Sequence, residues 1–157
     1  MRRRSNSPRS VRVLTRAGPY TRAVSAGPAA FVMPPPLREA TVVVVTTAAL
    51  HAPGDAASAA GDQSFRVLDG RRRDFRLGHS SADFDRSGVA LDLNVAFPLD
   101  RLDEMAAAGE IERVADEHLS FLGAQDETMS TLRIDTGPAA ARRLRAAGVT
   151  VVLVVPI

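Results

Sequence analysis

The sequence predicts an α/β fold, a three-layer Rossmann-like domain with a mostly parallel sheet. Its two long apolar runs are TVVVVTT at residues 41–47 and VTVVLVVPI at residues 149–157. Both are rich in β-branched residues and almost continuously apolar, which is typical of parallel strands that are covered on both faces. A helical period lies between them, and the order of strand, loop, helix and strand indicates the α/β class.

The uneven charge of the chain sets the predicted domain boundary. Residues 1–38 contain eight arginines and no acidic residue, whereas the remainder contains 12 arginines and 18 acidic residues. The first segment is also proline-rich and has no sustained period, so we expect a disordered or extended arm followed by an α/β domain over residues 39–157. The arm lacks interleaved aromatic residues and a recognition-helix pattern, and we predict no nucleic-acid partner.

The first half of the domain carries signals for two strands and one helix. After the strand at residues 41–47, SFRVL at residues 64–68 predicts a short second strand. Pro98 suits the first turn of a helix, where its missing N–H costs nothing. Gly109 is a reasonable end for this helix. Its apolar residues follow the helical period at Leu99, Leu102, Met105 and Ala106.

The second half carries signals for two further helices and the final strand. A second helical segment is predicted from the spacing of Ile111, Val114, Ala115 and His118. Pro138 opens a last helix that runs through Ala147 and is terminated by Gly148. We expect the strand that follows it to be buried, because nearly all of its residues are apolar.

The composition excludes several classes of function. The chain contains no cysteine, so its own residues provide no disulfide, thiolate metal site or thiol nucleophile. No two histidines have metal-binding spacing, and the motifs of serine hydrolases, dinucleotide-binding proteins and P-loop proteins are absent. We predict no cofactor and no metal. Because no apolar run approaches the ~20 residues that span a bilayer, we predict no membrane partner and a cytoplasmic location.

Most of the functional signal lies in residues 79–102, HSSADFDRSGVALDLNVAFPLDRL. An imidazole, four carboxylates, an amide and two guanidinium groups stand there among large apolar side chains, which indicates a half-buried, ordered loop. Because Asp and Asn also form turns and caps, these residues have a structural interpretation as well. The loop after the first strand adds His51 and Asp55, and such loops form the ligand crevice of open α/β sheets.

Five motifs carry a resemblance to a known family. They are TTAALHAPGD at residues 46–55, GDQSFR at 61–66, HSSADFDR at 79–86, DLNVAFPLDRL at 92–102 and HLSFLGA at 118–124. In order and approximate spacing they resemble the selenoprotein B family, the substrate-activating subunits of glycine, sarcosine, betaine and D-proline reductases. The resemblance covers residues 35–157, and DLNVAFPLDRL is its most specific motif.

The resemblance implies a reductase subunit that acts on a small amino acid or amine. In that family a selenocysteine or cysteine attacks the substrate, a partner subunit supplies a carbonyl (pyruvoyl) electrophile, and a further protein supplies the reducing dithiol. For Asp62, Ser64, Asp100 and Arg101 a structural or capping role is at least as well supported. The residues that the resemblance places at the substrate are His51, Asp55, His79, Asp85, Arg86 and Asn94.

The resemblance also implies that the nucleophile lies outside these 157 residues. The family places its redox residue just after a valine-rich strand that looks like VVLVVP, and here that stretch is followed by Ile157. We therefore expect the N-terminal portion of a longer family domain, truncated before its Cys or Sec, incomplete at the C-terminus and inactive alone. Two alternatives are a non-catalytic α/β binding module and a His/Asp metal-dependent hydrolase.

Overall fold

A computed structural model describes residues 32–79, 81, 85–125 and 128–157. Within these ranges Met33–Ile157 forms a compact unit. Most of the predicted arm at residues 1–38 lies outside the described residues, so its extended conformation stays a prediction.

A mixed, mostly parallel sheet forms the centre of this unit. β1 is its central strand, because it pairs in parallel with β5 along one edge and with β3 and then β4 along the other. β2 pairs antiparallel with β4 and lies outside it. The described strands are β1 (Thr41–Thr46), β2 (Phe65–Asp69), β3 (Arg113–Val114), β4 (Glu117–Phe121) and β5 (Val151–Val155).

Helices pack on both faces of the sheet, which confirms the predicted α/β class. Successive residues of β1 point to opposite faces. Val44 packs in one core cluster with Leu99 of α2, and Val43 packs in the other with Leu144 of α3. The described α-helices are α1 (Ser87–Leu91), α2 (Leu99–Ala107) and α3 (Gly137–Ala146).

Proline and glycine bound the two longer helices close to the predicted positions. Pro98 directly precedes α2. In α3, Pro138 lies in the first turn, where the proline costs no helical hydrogen bond. Gly148 follows α3 with a φ of 73°, a left-handed conformation that glycine adopts without a steric cost.

The predicted second helical segment, from Ile111 to His118, is wrong. It forms β3 and β4 instead. His118, Leu119 and Ser120 are successive buried residues, so polarity does not distinguish a strand from a helix here. Pairing decides the outcome, because β4 fills the position between β1 and β2 and forms backbone hydrogen bonds with both strands.

The prediction that the final strand is buried is also wrong. In β5 the exposed fractions are 46% for Val152, 38% for Leu153 and 58% for Val154. A parallel strand is buried when it has a neighbour on each edge and a helix over each face. Within the described residues β5 pairs only with β1, so part of its apolar surface remains in contact with solvent.

His118 repairs an interruption in the pairing of β1. From β3 to β4 the chain gains two residues relative to the register of β1. At the resulting gap the Val44 N–H donates to Nδ1 of His118 at 2.9 Å, in place of a strand carbonyl. The imidazole is fully buried and its ring packs edge-to-face on Phe97, with the ring centroids 5.3 Å apart.

Burial holds His118 neutral at ordinary pH. Burial, and then the charge of Arg73, lower the pKa of His118 to about 4, while the Ala115 carbonyl acts in the opposite direction. Protonation would place a hydrogen on the Nδ1 that accepts from Val44, so the charged form would also lose this bond.

We expect the stability of the protein to fall as the pH is lowered from 6.5 towards 4. In this window the unfolded chain binds a proton at residue 118 that the folded chain does not. The free energy of unfolding therefore falls by about 3 kcal/mol once the pH has reached 4. In H118N the amide oxygen replaces the Nδ1 acceptor without titrating. Denaturant unfolding at several pH values should give H118N lower stability at pH 7 but a flatter pH dependence, and equal slopes for the two proteins would contradict this account.

We expect the isolated chain to self-associate through β5, because a strand edge with exposed apolar residues favours pairing with other chains. Val154→Lys adds a charge to the exposed strand and should shift sedimentation towards the monomer. Ala108→Lys, at the exposed C-terminal end of α2, is the control and should have a smaller effect. Unchanged sedimentation of Val154→Lys would exclude β5 as the associating surface.

Candidate functional site

Three parallel strands end at the same side of the sheet, here called the carboxyl edge. After β1, β4 and β5 come Thr47, Gly123 and Ile157. The Thr47 hydroxyl accepts from the Ile157 N–H at 2.7 Å and donates to the Ile157 backbone oxygen at 3.1 Å. The Thr47 N–H donates to the Val155 carbonyl, so Thr47 fixes the segment that follows β5 to the segment that follows β1.

The segment from Arg76 to His79 crosses this edge. Arg76 and His51 exchange two backbone hydrogen bonds, of 3.0 and 2.9 Å, and the Gly78 N–H donates to the Ala49 carbonyl at 3.1 Å. The contact at Gly78 is close, because a Cβ there would lie 3.0 Å from Nδ1 of His51 and 2.5 Å from the Ala49 carbonyl oxygen. Because Gly78 has no side chain, its backbone, directly before His79, can pack against the His51 ring.

His79 is buried at the carboxyl edge next to Thr47 and Gly123. A Cβ on Gly123 would lie 3.2 Å from Nε2 of His79, 3.1 Å from Oγ1 of Thr47 and 2.7 Å from the Ile157 backbone oxygen. These groups thus converge on one point. The Ser81 N–H donates to Nδ1 at 3.3 Å, which leaves the proton of the neutral ring on Nε2.

Two effects lower the pKa of His79 from its ordinary value. Burial is the larger, and the positive charge of Arg86 is the second. A neutral imidazole can donate a hydrogen bond from Nε2 without carrying a charge into the buried edge. The His79 ring therefore presents a neutral hydrogen-bond donor at the carboxyl edge, packed closely against Gly123.

Arg86 fixes the loop that carries His79. One guanidinium nitrogen, Nη2, donates to the His79 carbonyl at 3.0 Å and to the Ser81 carbonyl at 3.1 Å. Asp85 has a local role, because its carboxylate accepts from the Ser87 N–H at 2.8 Å and from the Ser87 hydroxyl at 2.6 Å, where α1 begins. These bonds lower the pKa of Asp85.

Asn94 belongs to a polar network below the edge. Its amide N–H groups donate to Asp92 and Asp100, each at 2.9 Å, and its oxygen accepts from the Asp100 N–H at 3.2 Å. Arg73 then bonds Asp100 at 2.7 Å and also pairs with Asp103. The network joins the start of α2 to the loop that follows β2.

The structure brings some of the predicted substrate-binding residues together and separates others. His51, His79 and Arg86 meet around the segment that crosses the carboxyl edge. Asp85 bonds Ser87 at the start of α1, Asn94 bonds Asp100 at the start of α2, and Asp55 is exposed on the loop beyond His51. Contact with a substrate stays a prediction for all six.

Sequence reasoning missed Thr47, Gly78 and Gly123 as parts of the site. Thr47 and Gly123 lie within quoted motifs, and they come one and two residues after the ends of β1 and β4, where crevice residues lie in a parallel sheet. That signal was available for Thr47. For Gly78 and Gly123 the need for glycine depends on atoms of distant segments, such as the Ala49 carbonyl and Ile157.

The described residues offer little to the metal-hydrolase alternative. No group of three or more His, Asp or Glu side chains within them is arranged to hold a metal ion.

None of the described helices combines the length and the apolar character that a membrane crossing requires.

The fold and the residues at the carboxyl edge together define the class of protein. It is a mostly parallel α/β domain with a candidate binding site at the carboxyl ends of its strands. Over 118 residues the chain is 34% identical to D-proline reductase subunit gamma of Acetoanaerobium sticklandii. The match covers 74% of this chain and 48% of the relative, so the chain spans about half the length of this curated relative. The similarity supports a relationship to the proline/glycine reductase family. No family model and no solved structure matches the chain.

We expect Gly123→Ala to disturb the edge and to cost about 1–3 kcal/mol, because the new Cβ would overlap the Ile157 backbone oxygen and crowd His79. Unfolding experiments and the NMR titration of the His79 ring measure the two effects. Gly88→Ala is the control, since its Cβ would meet only Val95, at 3.8 Å, and should not lower stability. Equal stability of the two variants would contradict the crowded geometry.

Proposed function

We propose that the chain acts as a subunit, or as part of a subunit, of a selenoprotein B-type reductase. The supporting observation is the 34% identity over 118 residues to a D-proline reductase subunit, on a chain whose strands converge on His79. The proposed substrate is a small amino acid or amine, and the proposed reductant is a dithiol protein. By resemblance, a carbonyl (pyruvoyl)-bearing subunit is the proposed partner.

The proposed reaction needs a nucleophile that these residues do not contain. A thiolate or selenolate attacks the substrate carbon and forms a bond to it while the carbon–nitrogen bond breaks and the nitrogen takes up a proton. One thiolate of the dithiol then attacks the carbon-bound sulfur or selenium, so that this bond breaks and the carbon takes up a proton, and the second thiolate releases the nucleophile as the dithiol closes to a disulfide. The chain has no cysteine, so the nucleophile would come from a further polypeptide segment or subunit. We propose that it acts at the carboxyl edge.

The residues at the edge would assist such a nucleophile. The Nε2–H of His79 would donate to the thiolate or selenolate and lower its pKa, because a hydrogen bond to the charged form favours that form. Thr47 would hold the neighbouring backbone in place through its two bonds to Ile157. Arg86 would act as a positioning residue, since it holds the loop of His79 through two carbonyls.

One observation favours a second candidate, a non-catalytic α/β binding module. Asp85 and Asn94, both predicted at the substrate, are occupied by hydrogen bonds to Ser87 and Asp100 at the starts of α1 and α2. The described residues then provide a binding edge with few groups free for proton transfer.

A chimera separates the two candidates. The matched 118 residues of the Acetoanaerobium sticklandii gamma subunit are replaced by those of this chain, and dithiol-dependent consumption of D-proline is measured with the other subunits of that reductase. We expect turnover by the chimera and none by the isolated 157-residue chain, which has no thiol.

His79→Gln in the chimera should lower kcat by about 10²-fold if the imidazole assists the nucleophile. Arg142→Gln, on the exposed side of α3, is the control and should leave kcat unchanged. A folded, assembled chimera without turnover would favour the binding module. Turnover by the isolated chain would refute the requirement for an external nucleophile.

A further inference from the structure

Beside the carboxyl edge lies a cavity of about 440 Å³ between the segment that follows β2 and helix α1. Its volume is within the range of ligand pockets, roughly 300–1,000 Å³. The floor is apolar and continuous with the core cluster under α2. It is lined by Phe75, Leu77, Val89 and Leu93.

Guanidinium groups surround this apolar floor. Of the three arginines that line the cavity, Arg73 is neutralised by its ion pairs with Asp100 and Asp103. Arg76 and Arg86 have no carboxylate of a described residue within ion-pair distance. The nearby Asp74 carboxylate interacts with Arg76 only at longer range and forms its ion pair with Arg72, so the cavity has two positive charges without a directly bonded carboxylate among the described residues.

Hydrogen bonds hold both of these arginines, Arg76 through its backbone and Arg86 through its guanidinium group. The backbone of Arg76 is fixed by its two hydrogen bonds to His51. Arg86 uses Nη2 for the carbonyls of His79 and Ser81, while its Nε and Nη1 donate to no described residue. The Arg86 guanidinium, which is anchored in this way, loses little entropy when it binds an anion, and the planar donors of both arginines match a carboxylate.

We propose that this cavity binds small carboxylic acids that carry an aliphatic or alicyclic body. The carboxylate would lie between Arg76 and Arg86, and the apolar body would lie on Leu77 and Val89. Carboxylate binding goes beyond the proposed reductase function, because it requires no nucleophile. Its assignment as the substrate pocket rests on that function and is supported by the bonds of Arg76 to His51 and of Arg86 to His79.

The test is titration calorimetry on the isolated 157-residue chain at low salt, with three probes. Cyclopentanecarboxylate should bind saturably. Cyclopentylamine, which has the same ring but the opposite charge, should not bind. Glycine, which has a carboxylate without the apolar body, should bind about 10-fold more weakly or worse, because it buries almost no apolar surface.

Variants locate the binding. Arg76→Gln should weaken cyclopentanecarboxylate about 10-fold or more, as expected for the loss of a charged hydrogen-bond donor. This variant should fold, since the Arg76 side chain bonds no described residue and Arg76 pairs with His51 through its backbone. Ala90→Phe should abolish binding by filling the cavity from the exposed helix α1. Arg142→Gln on α3 is the control and should bind normally.

Each outcome bears on the proposal. Absence of cyclopentanecarboxylate binding, equal binding of cyclopentylamine, or binding that is insensitive to both Arg76→Gln and Ala90→Phe would overturn it. Carboxylate binding by the chain together with an inactive chimera would support the pocket and reject the reductase. An active chimera whose KM for D-proline is unchanged by Arg76→Gln would support the reductase and overturn the assignment of this cavity as its substrate pocket.

Discussion

The pairing of β1 along both of its edges is the constraint on which the other parts of this structure depend. One strand of six residues accepts β5 on one edge and β3 and β4 on the other, all parallel to it. Parallel direction makes the strands end on one side of the sheet, so Thr47, Gly123 and Ile157 come together although they are distant in sequence. The common direction of the strands thus determines where the site lies, and the side chains then determine its chemistry.

The pairing of β1 also explains why a histidine is buried in the core. The two additional residues between β3 and β4 leave Val44 without a carbonyl partner, and a buried unpaired N–H would cost about 1–3 kcal/mol. Nδ1 of His118 supplies the acceptor. This function requires the neutral ring, which the low pKa of the buried imidazole maintains. His118 was part of a motif that carried the resemblance, and the structure gives it a role in the sheet rather than at the edge.

Sequence patterns predicted those parts of the fold whose causes are local. The β-branched run of β1 and the Pro138 and Gly148 boundaries of α3 each depend on a few neighbouring residues, and the structure confirms them. The helical interpretation of Ile111 to His118 failed because pairing with two other strands outweighed a chance spacing. Burial of β5 could not be predicted from its own apolarity, because burial requires neighbours that the strand sequence does not specify.

The candidate site could be predicted only in part, for the same reason. The polar residues of the stretch 79–102 could be identified, and their local bonds follow the known habit of Asp and Asn to bond the backbone two residues on, as Asp85 and Asp92 do. The choice among them could not be made, because what distinguishes His79 is its contact with Thr47, Gly123 and Ile157. Those contacts join segments up to 110 residues apart, and no local pattern encodes them.

Residues of DLNVAFPLDRL, the most specific motif of the resemblance, stabilise the carboxyl edge through the loop that follows β2. Its Asn94 and Asp100 bond each other, and Asp100 bonds Arg73. Arg73 also donates to the Gly70 carbonyl, which fixes the loop after β2. From that loop the chain continues to Arg76 and Gly78, whose backbones bond His51 and Ala49 at the edge. We therefore expect a substitution at Asp100 to shift the backbone at His51 through Arg73 and the segment from Gly70 to Arg76, without any direct contact between the Asp100 and His51 side chains.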